Sequence, residues 1–216
     1  MRTPPPSGTT HLYLIRHGAT PPNEQRPYIL QGNGIDLGLS ASGLRQAAEV
    51  ARFLSDFPLD HIYCSPMIRA RETATAIAQS HGKEIRPVDG LVECCVGHWE
   101  GLDWETIKSR HPEESRLFLE NPAENPYFGG ESYTDTLHRV RPVFQDLLAR
   151  HRGETIAIVA HNVVNRVYLA SLLGLDLRRA KELRQQNACV NLIAYDGEAA
   201  TVVTMNSVFH LSEQPL

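Results

Sequence analysis

Two kinds of apolar pattern alternate along the chain: short unbroken runs, and longer segments in which apolar residues recur every three or four positions. Residues 12–15 form one unbroken run, which stops at Arg16-His17-Gly18. Residues 155–160 form a second, which stops at His161-Asn162. Runs of this kind suit buried parallel strands, covered on both faces. Shorter strands are predicted at 61–64 and 85–88. Residues 42–56 place Leu44, Ala47, Ala48, Ala51 and Leu54 at helical spacing, behind a cap at Ser40 or Ser42. A second helix is predicted over 67–80, with Ile68, Ala74, Ile77 and Ala78 as its stripe and Gly82 as its stop. Ser132 and Asp135 resemble a capping box. The long helix behind them runs to about His151, and Pro142 should kink it or start a shorter one. Helices near 163–173 and 177–185 follow. Residues 188–195 and 200–206 then read as a hairpin around Asp196-Gly197.

The remaining stretches are breaks in this pattern. Residues 18–41 are rich in Gly, Pro, Asn and Ser and read as a loop. Residues 102–131 hold two short helical patterns, then Pro, Gly and the aromatics Tyr127 and Phe128. With Trp104 and Phe118 they read as an excursion from the core, either a cap over a site or aromatics packed onto the body. The expected organisation is a disordered leader over 1–10 and a single domain over 11–216, with the small cap at about 102–131 and no internal repeat.

Composition narrows the function. Hydrophobic residues make up 42% of the 216 and charged residues 21%, ordinary values for a globular protein. The net charge of −4 gives no general pull toward nucleic acid or an anionic membrane, so any anion site must be local. No apolar run is long enough to cross a membrane, and the N-terminus lacks an apolar export core. The four cysteines, Cys64, Cys94, Cys95 and Cys189, show no CxxC spacing. Free thiols and a cytoplasmic location are expected. Cys94 and His98 have helical ligand spacing, but Gly97 between them and the missing second pair argue against zinc.

The candidate chemistry gathers at element ends. Arg16 and His17 close a strand, where open α/β sheets place ligand crevices. Arginine suits phosphate, and histidine is a competent nucleophile near neutral pH. Gly18 would allow a sharp turn or a close ligand. Arg69 falls in the first turn of a helix, where a cation opposes the dipole; an anion bound there would resolve the conflict. Glu93 sits among Leu91, Val92, Cys94, Cys95 and Val96, where partial burial would favour its protonated form and a general-acid role, although position alone favours a surface glutamate on a loop. Asn23, Gln31 and Gly32 could bind an anion or be plain turn residues. The two apolar strands could bring His17 and His161 into one crevice.

Taken in order, Arg16-His17-Gly18 with Thr20 and Asn23, Gln31-Gly32, Ser65-Pro66 through Arg69, Glu93 before Gly97-His98-Trp99-Glu100-Gly101, Gly129 through Ser132, and Ala160-His161-Asn162 through Arg166 resemble the histidine phosphatase superfamily, of phosphoglycerate mutase-like fold. The resemblance implies a three-layer α/β/α sandwich with a mostly parallel central sheet. It implies a metal-independent phosphomonoesterase, needing no cofactor, that acts on a small phosphorylated metabolite. His17 would form a phosphohistidine. Arg16, Arg69 and His161 would bind the phosphoryl oxygens, and Glu93 would serve as acid and then base. Asn23, Gln31, Gly32 and Asn162 would contribute to binding. Ala19 and Asn162 stand where many relatives carry Glu and Gly. Cys94-Cys95 and the short cap favour the phosphatase branch. A cofactor-dependent phosphoglycerate mutase is the alternative, followed by a non-catalytic phospho-ligand binding module. Neither nucleic acid nor membrane is an expected partner, and the oligomeric state stays open, as do the roles of His98, His210 and the cysteines.

Overall fold

The two long apolar runs lie side by side. In a computed structural model that describes residues 8–212, β1 (Thr9–Arg16) pairs in parallel with β4 (Thr155–Ala160), and Arg16 stands opposite Ala160. Two further strands, β2 (His61–Cys64) and β3 (Ile85–Pro87), extend the parallel part beyond β4. An antiparallel hairpin, β5 (Val190–Asp196) and β6 (Ala199–Ser207), adds to the free side of β1. The six-stranded order is β3-β2-β4-β1-β5-β6.

Alternation along each strand feeds two cores, one on each face. Tyr13 and Ile15 of β1, with Ala157 and Val159 of β4, meet helices α2 (Ala41–Leu54) and α3 (Ile68–His81). Leu12, Leu14, Ile156 and Ile158 meet α6 (Tyr133–Arg150) and α7 (Asn162–Leu172) on the other face. The result is an α/β/α sandwich. It explains why both faces of β1 and β4 are apolar. Phe144 of α6 and Tyr168 of α7 stack at 3.8 Å between ring centroids, tying the two helices together. The short α1 (Pro21–Glu24) lies in the first loop, and α4 (Trp104–Arg110) and α5 (Pro112–Glu120) occupy the 102–131 stretch.

Several expectations shift by small, explicable amounts. Of the expected leader, residues 1–7 lie outside the described residues. Thr9 and Thr10 belong to β1 instead, opposite Asp196 and Tyr195. In α2 the buried stripe is Gly43, Ala47, Val50, Ala51 and Leu54, while Leu44 and Ala48 face solvent. Gly43 turns inward because the helix meets the chain just after β1 without space for a side chain. Ile68, expected in the α3 stripe, is exposed. Pro142 lies inside a continuous α6, and the 177–185 segment is a 3₁₀ helix over Leu177–Glu182. Capping follows the local chemistry. Ser40 accepts from the Gly43 N–H at 3.0 Å, and both halves of the Ser132–Asp135 capping box are present.

The junction of α2 with the end of β1 is the tightest packing near the strand end. A Cβ on Gly43 would stand 1.9 Å from the Ala19 carbonyl oxygen, and one on Gly18 would stand 2.6 Å from the Gly43 carbonyl oxygen. Gly18 is therefore demanded by helix packing. Overpacking against backbone has no easy relaxation, so Gly43→Ala should cost at least about 2 kcal/mol. Urea denaturation checks this; an unchanged midpoint would contradict the packing account.

Candidate active site

The parallel register of β1 and β4 sets the site. Arg16 and Ala160 end their strands as partners, so the next residues, His17 and His161, emerge at the same level. The His17 N–H donates to the Ala160 carbonyl at 3.1 Å, and the two imidazoles stand 5.2 Å apart between centroids. Both are buried. His17 Nδ1 lies 2.7 Å from the Gly18 carbonyl oxygen. A carbonyl only accepts, so Nδ1 carries the proton and Nε2 keeps its lone pair. Neither ring nitrogen of His161 has a hydrogen-bond partner among the described residues.

Two guanidiniums share this pocket. Arg16 donates through Nη1 to the Gln185 carbonyl at 2.6 Å. Arg69, 1% exposed in the first turn of α3, donates to the carbonyls of Gly32 at 2.8 Å and Ile35 at 3.0 Å. The Nε of each arginine has no hydrogen-bond partner among the described residues. Burial, and then the two guanidiniums, hold both histidines well below the ordinary 6.5. His17 and His161 are accordingly neutral at neutral pH, and the fixed positive charge belongs to the arginines.

Glu93 completes the cluster from the other side. It is buried, and its carboxylate accepts from the N–H groups of Cys94 at 2.9 Å, Val163 at 3.2 Å and Val164 at 3.4 Å. The last two belong to the first turn of α7, whose N-cap is His161. The dipole and free N–H groups of that turn suit a carboxylate. One helix end thus holds a histidine and a carboxylate at fixed separation. Arg139 braces the loop that carries Glu93. It donates to Gly90 and Val92 carbonyls at 2.9 and 3.0 Å and pairs with Glu131 at 2.9 Å.

The lesser predicted residues divide. Asn23 and Asn162 line the pocket with Arg16, His17 and Glu93. Asn23 Oδ1 accepts from Asn187 at 3.0 Å. Gln31 also lines it, but its side chain is committed to Thr20 and Ile35. Gly32 does not serve as an anion donor. Its N–H is held by Glu100 at 2.7 Å, and its carbonyl holds Arg69. Its bareness is required by the Cys94 carbonyl, 2.7 Å from where a Cβ would stand. Cys94 and His98 do not form a metal pair: the Cys94 thiol is buried, whereas His98 is exposed against Phe128. All four cysteines are free.

The family model of the histidine phosphatase superfamily (branch 1) matches residues 12–208. The chain belongs to that superfamily. It is 32% identical to phosphoserine phosphatase 1 of Hydrogenobacter thermophilus over 202 residues, 94% of each chain. It is 32% identical to phosphoglycerate mutase-like protein 4 of Arabidopsis thaliana, covering 94% of this chain and 87% of that one. The solved structure of an Entamoeba histolytica phosphoserine phosphatase in complex with 3-phosphoglyceric acid superposes with a TM-score of 0.84. Its identity is 28%, over 93% of this chain and 98% of that one.

In this member of the histidine phosphatase superfamily the pocket opens into a cleft of about 440 Å³. Trp104, Phe118 and Tyr127 supply apolar wall, and Arg166 and Lys181 supply charge. The same aromatics also pack on the body, since Trp99 meets Trp104, Phe118 and Tyr127 at 5.5–5.9 Å. The aromatics of the 102–131 excursion thus both line the cleft and pack on the body. Gln185, Asn187 and Lys181 escaped the reading of single motifs, because they reach the cleft from the stretch between α7 and β5, whereas Arg166 of α7 ends the motif that begins at Ala160. A larger groove of about 520 Å³, lined by Thr10, Arg141, Tyr168 and Tyr195, contains none of the five clustered residues. Among the described residues no helix is long and apolar enough to cross a membrane.

The depressed histidines make stability depend on pH with a definite sign. Below about pH 6.5 the unfolded chain takes up protons that the folded histidine phosphatase site refuses, so the unfolded state binds more. Stability should be full above that pH and fall as pH drops through it. His161→Asn should flatten the fall by up to about 1.4 kcal/mol per pH unit. Urea titrations between about pH 7.5 and pH 5 test this, and an unaltered slope in the variant would argue against a buried neutral His161.

Proposed function

We propose that the chain is a metal-independent phosphoric monoester hydrolase working through a phosphohistidine on His17. The observation that carries this reading is the tautomer of His17: buried, neutral, with Nδ1 bonded to the Gly18 carbonyl. That leaves Nε2 free to attack. Nε2 would donate its pair to phosphorus as the ester P–O bond breaks. Glu93, once it has taken up a proton on substrate binding, would give that proton to the departing alkoxide. The ionised Glu93 would then take a proton from water as that water attacks phosphorus. The N–P bond breaks, inorganic phosphate leaves, and Nε2 regains its pair. Arg16 and Arg69 would offset charge on the phosphoryl oxygens, with His161 as a neutral donor beside them.

The cleft supports a small anionic substrate. Lys181 and Arg166 line the cleft together with the aromatics, so a phosphorylated metabolite with a carboxylate fits the charge pattern. The Hydrogenobacter and Entamoeba relatives carry the name phosphoserine phosphatase, and phosphoserine is the first substrate to test. The excursion over 102–131 would act as the cap that selects it.

The His17→Ala variant should lose phosphate release by about 10⁴-fold or more while keeping its circular dichroism, and wild type should be indifferent to EDTA. Glu93→Gln should slow release by about 10²–10⁴-fold. Retained release in His17→Ala would overturn the phosphohistidine assignment. Transfer between two hydroxyls of one acid without free phosphate would move the reading to a mutase.

A further inference from the structure

A second cluster of titratable side chains lies at the other end of the sheet. His61 opens β2, His151 is the C-cap of α6, and Glu154 directly precedes β4. Their ligand atoms all lie within 4.8 Å of one another. Glu154 Oε2 stands 3.1 Å from His61 Nε2 and 2.6 Å from His151 Nδ1. The two imidazoles are 4.1 Å apart between centroids. Nothing in the reaction proposed above uses these groups, and the strand β4, roughly 20 Å long at 3.3 Å per residue, separates them from His161.

We infer that His61, His151 and Glu154 form a binding site for a divalent transition metal, zinc above all, that is separate from the proposed catalytic pocket. The donor set is two imidazoles and a carboxylate, which zinc takes with a water in the fourth position. Zinc–ligand bonds of about 2.0–2.1 Å in a tetrahedron put ligand atoms about 3.3 Å apart. The present spacing needs only side-chain adjustment to reach that. The outer shell is also built. His151 Nε2 lies 2.7 Å from the Tyr63 hydroxyl, which in turn accepts from Arg86 at 3.2 Å. A histidine whose far nitrogen is held in this way presents its near nitrogen in a fixed orientation. His151 is 10% exposed, His61 23% and Glu154 42%, so an ion can enter from solvent while one ligand stays anchored. The three residues come from three elements, and a metal there would tie the end of α6 to the starts of β2 and β4. Without a metal, the same groups form a hydrogen-bonded knot with Glu154 as the common acceptor.

The test uses the full chain, stripped with EDTA and desalted, and titrated calorimetrically with zinc chloride. One equivalent should bind with a dissociation constant at or below the micromolar range. Saturating zinc at about a hundred times that value should raise the melting temperature by roughly 5–10 °C. His61→Ala and Glu154→Gln should each weaken binding tenfold or more, whereas His98→Ala, at an exposed histidine outside the cluster, should not. Phosphate release should be the same with and without zinc. Cobalt(II) should give tetrahedral visible bands in wild type, which covers the case in which His61→Ala fails to fold. No stoichiometric binding below about 100 μM, or binding that survives both substitutions, would leave the trio as a hydrogen-bonded knot and overturn the proposal.

Discussion

The rest of the structure depends on two arginines being buried close enough to feel each other. A guanidinium removed from water is costly unless hydrogen-bonded, and two of them side by side repel. Arg16 and Arg69 are held in place by main-chain carbonyls at Gln185, Gly32 and Ile35. Their charges are offset by one buried carboxylate, Glu93, which acts on both. The balance remains positive, so the pocket favours a dianion over water. Burial, aided by the same field, keeps both imidazoles neutral, which is the state a nucleophile needs.

Carbonyls can play this part only if the loops carrying them are rigid, and much of the surrounding chain serves that end. Glu100 ties Gly32, Gly34 and Ile35 by their N–H groups at 2.7–3.3 Å. Glu72 takes the Leu39 N–H at 2.6 Å, and Asp36 takes that of Ile68 at 2.8 Å. Each is an exposed or half-buried carboxylate that looks like surface charge in the sequence. Each instead stills the long loop between β1 and α2, which hands its carbonyls to Arg69.

Much of this was legible beforehand, for physical reasons. His17 and His161 stood out because an apolar strand ended in each, and Arg69 because a cation in a first helical turn asks for an anion. Those are local signals. The burial of Glu93 could be guessed from its neighbours, but not the main-chain donors of α7 that hold it, seventy residues further on. The inward face of α2 is rotated from the stripe that Leu44 and Ala48 suggest, because the close approach of the Ala19 backbone brings Gly43 inward, a contact that helical spacing does not carry. Gly32 read as a ligand contact because its commitments, to Glu100 and Arg69, are both distant in the chain. Gln185 and Asn187 carried no local pattern at all.

The strand order has a consequence for how the protein comes into being. β1 and β2 are not neighbours; β4, made about ninety residues after β2, lies between them. A chain leaving the ribosome has no continuous sheet until residue 160 is out. His161 is the next residue, and α7, whose first turn holds Glu93, follows it. The strand that closes the scaffold therefore delivers His161 and the holder of Glu93 in the same event, and Gln185, which holds Arg16, follows them. Nascent or truncated chains short of that point carry His17 and both arginines but no assembled charge trap, so phosphate chemistry switches on only with a finished fold.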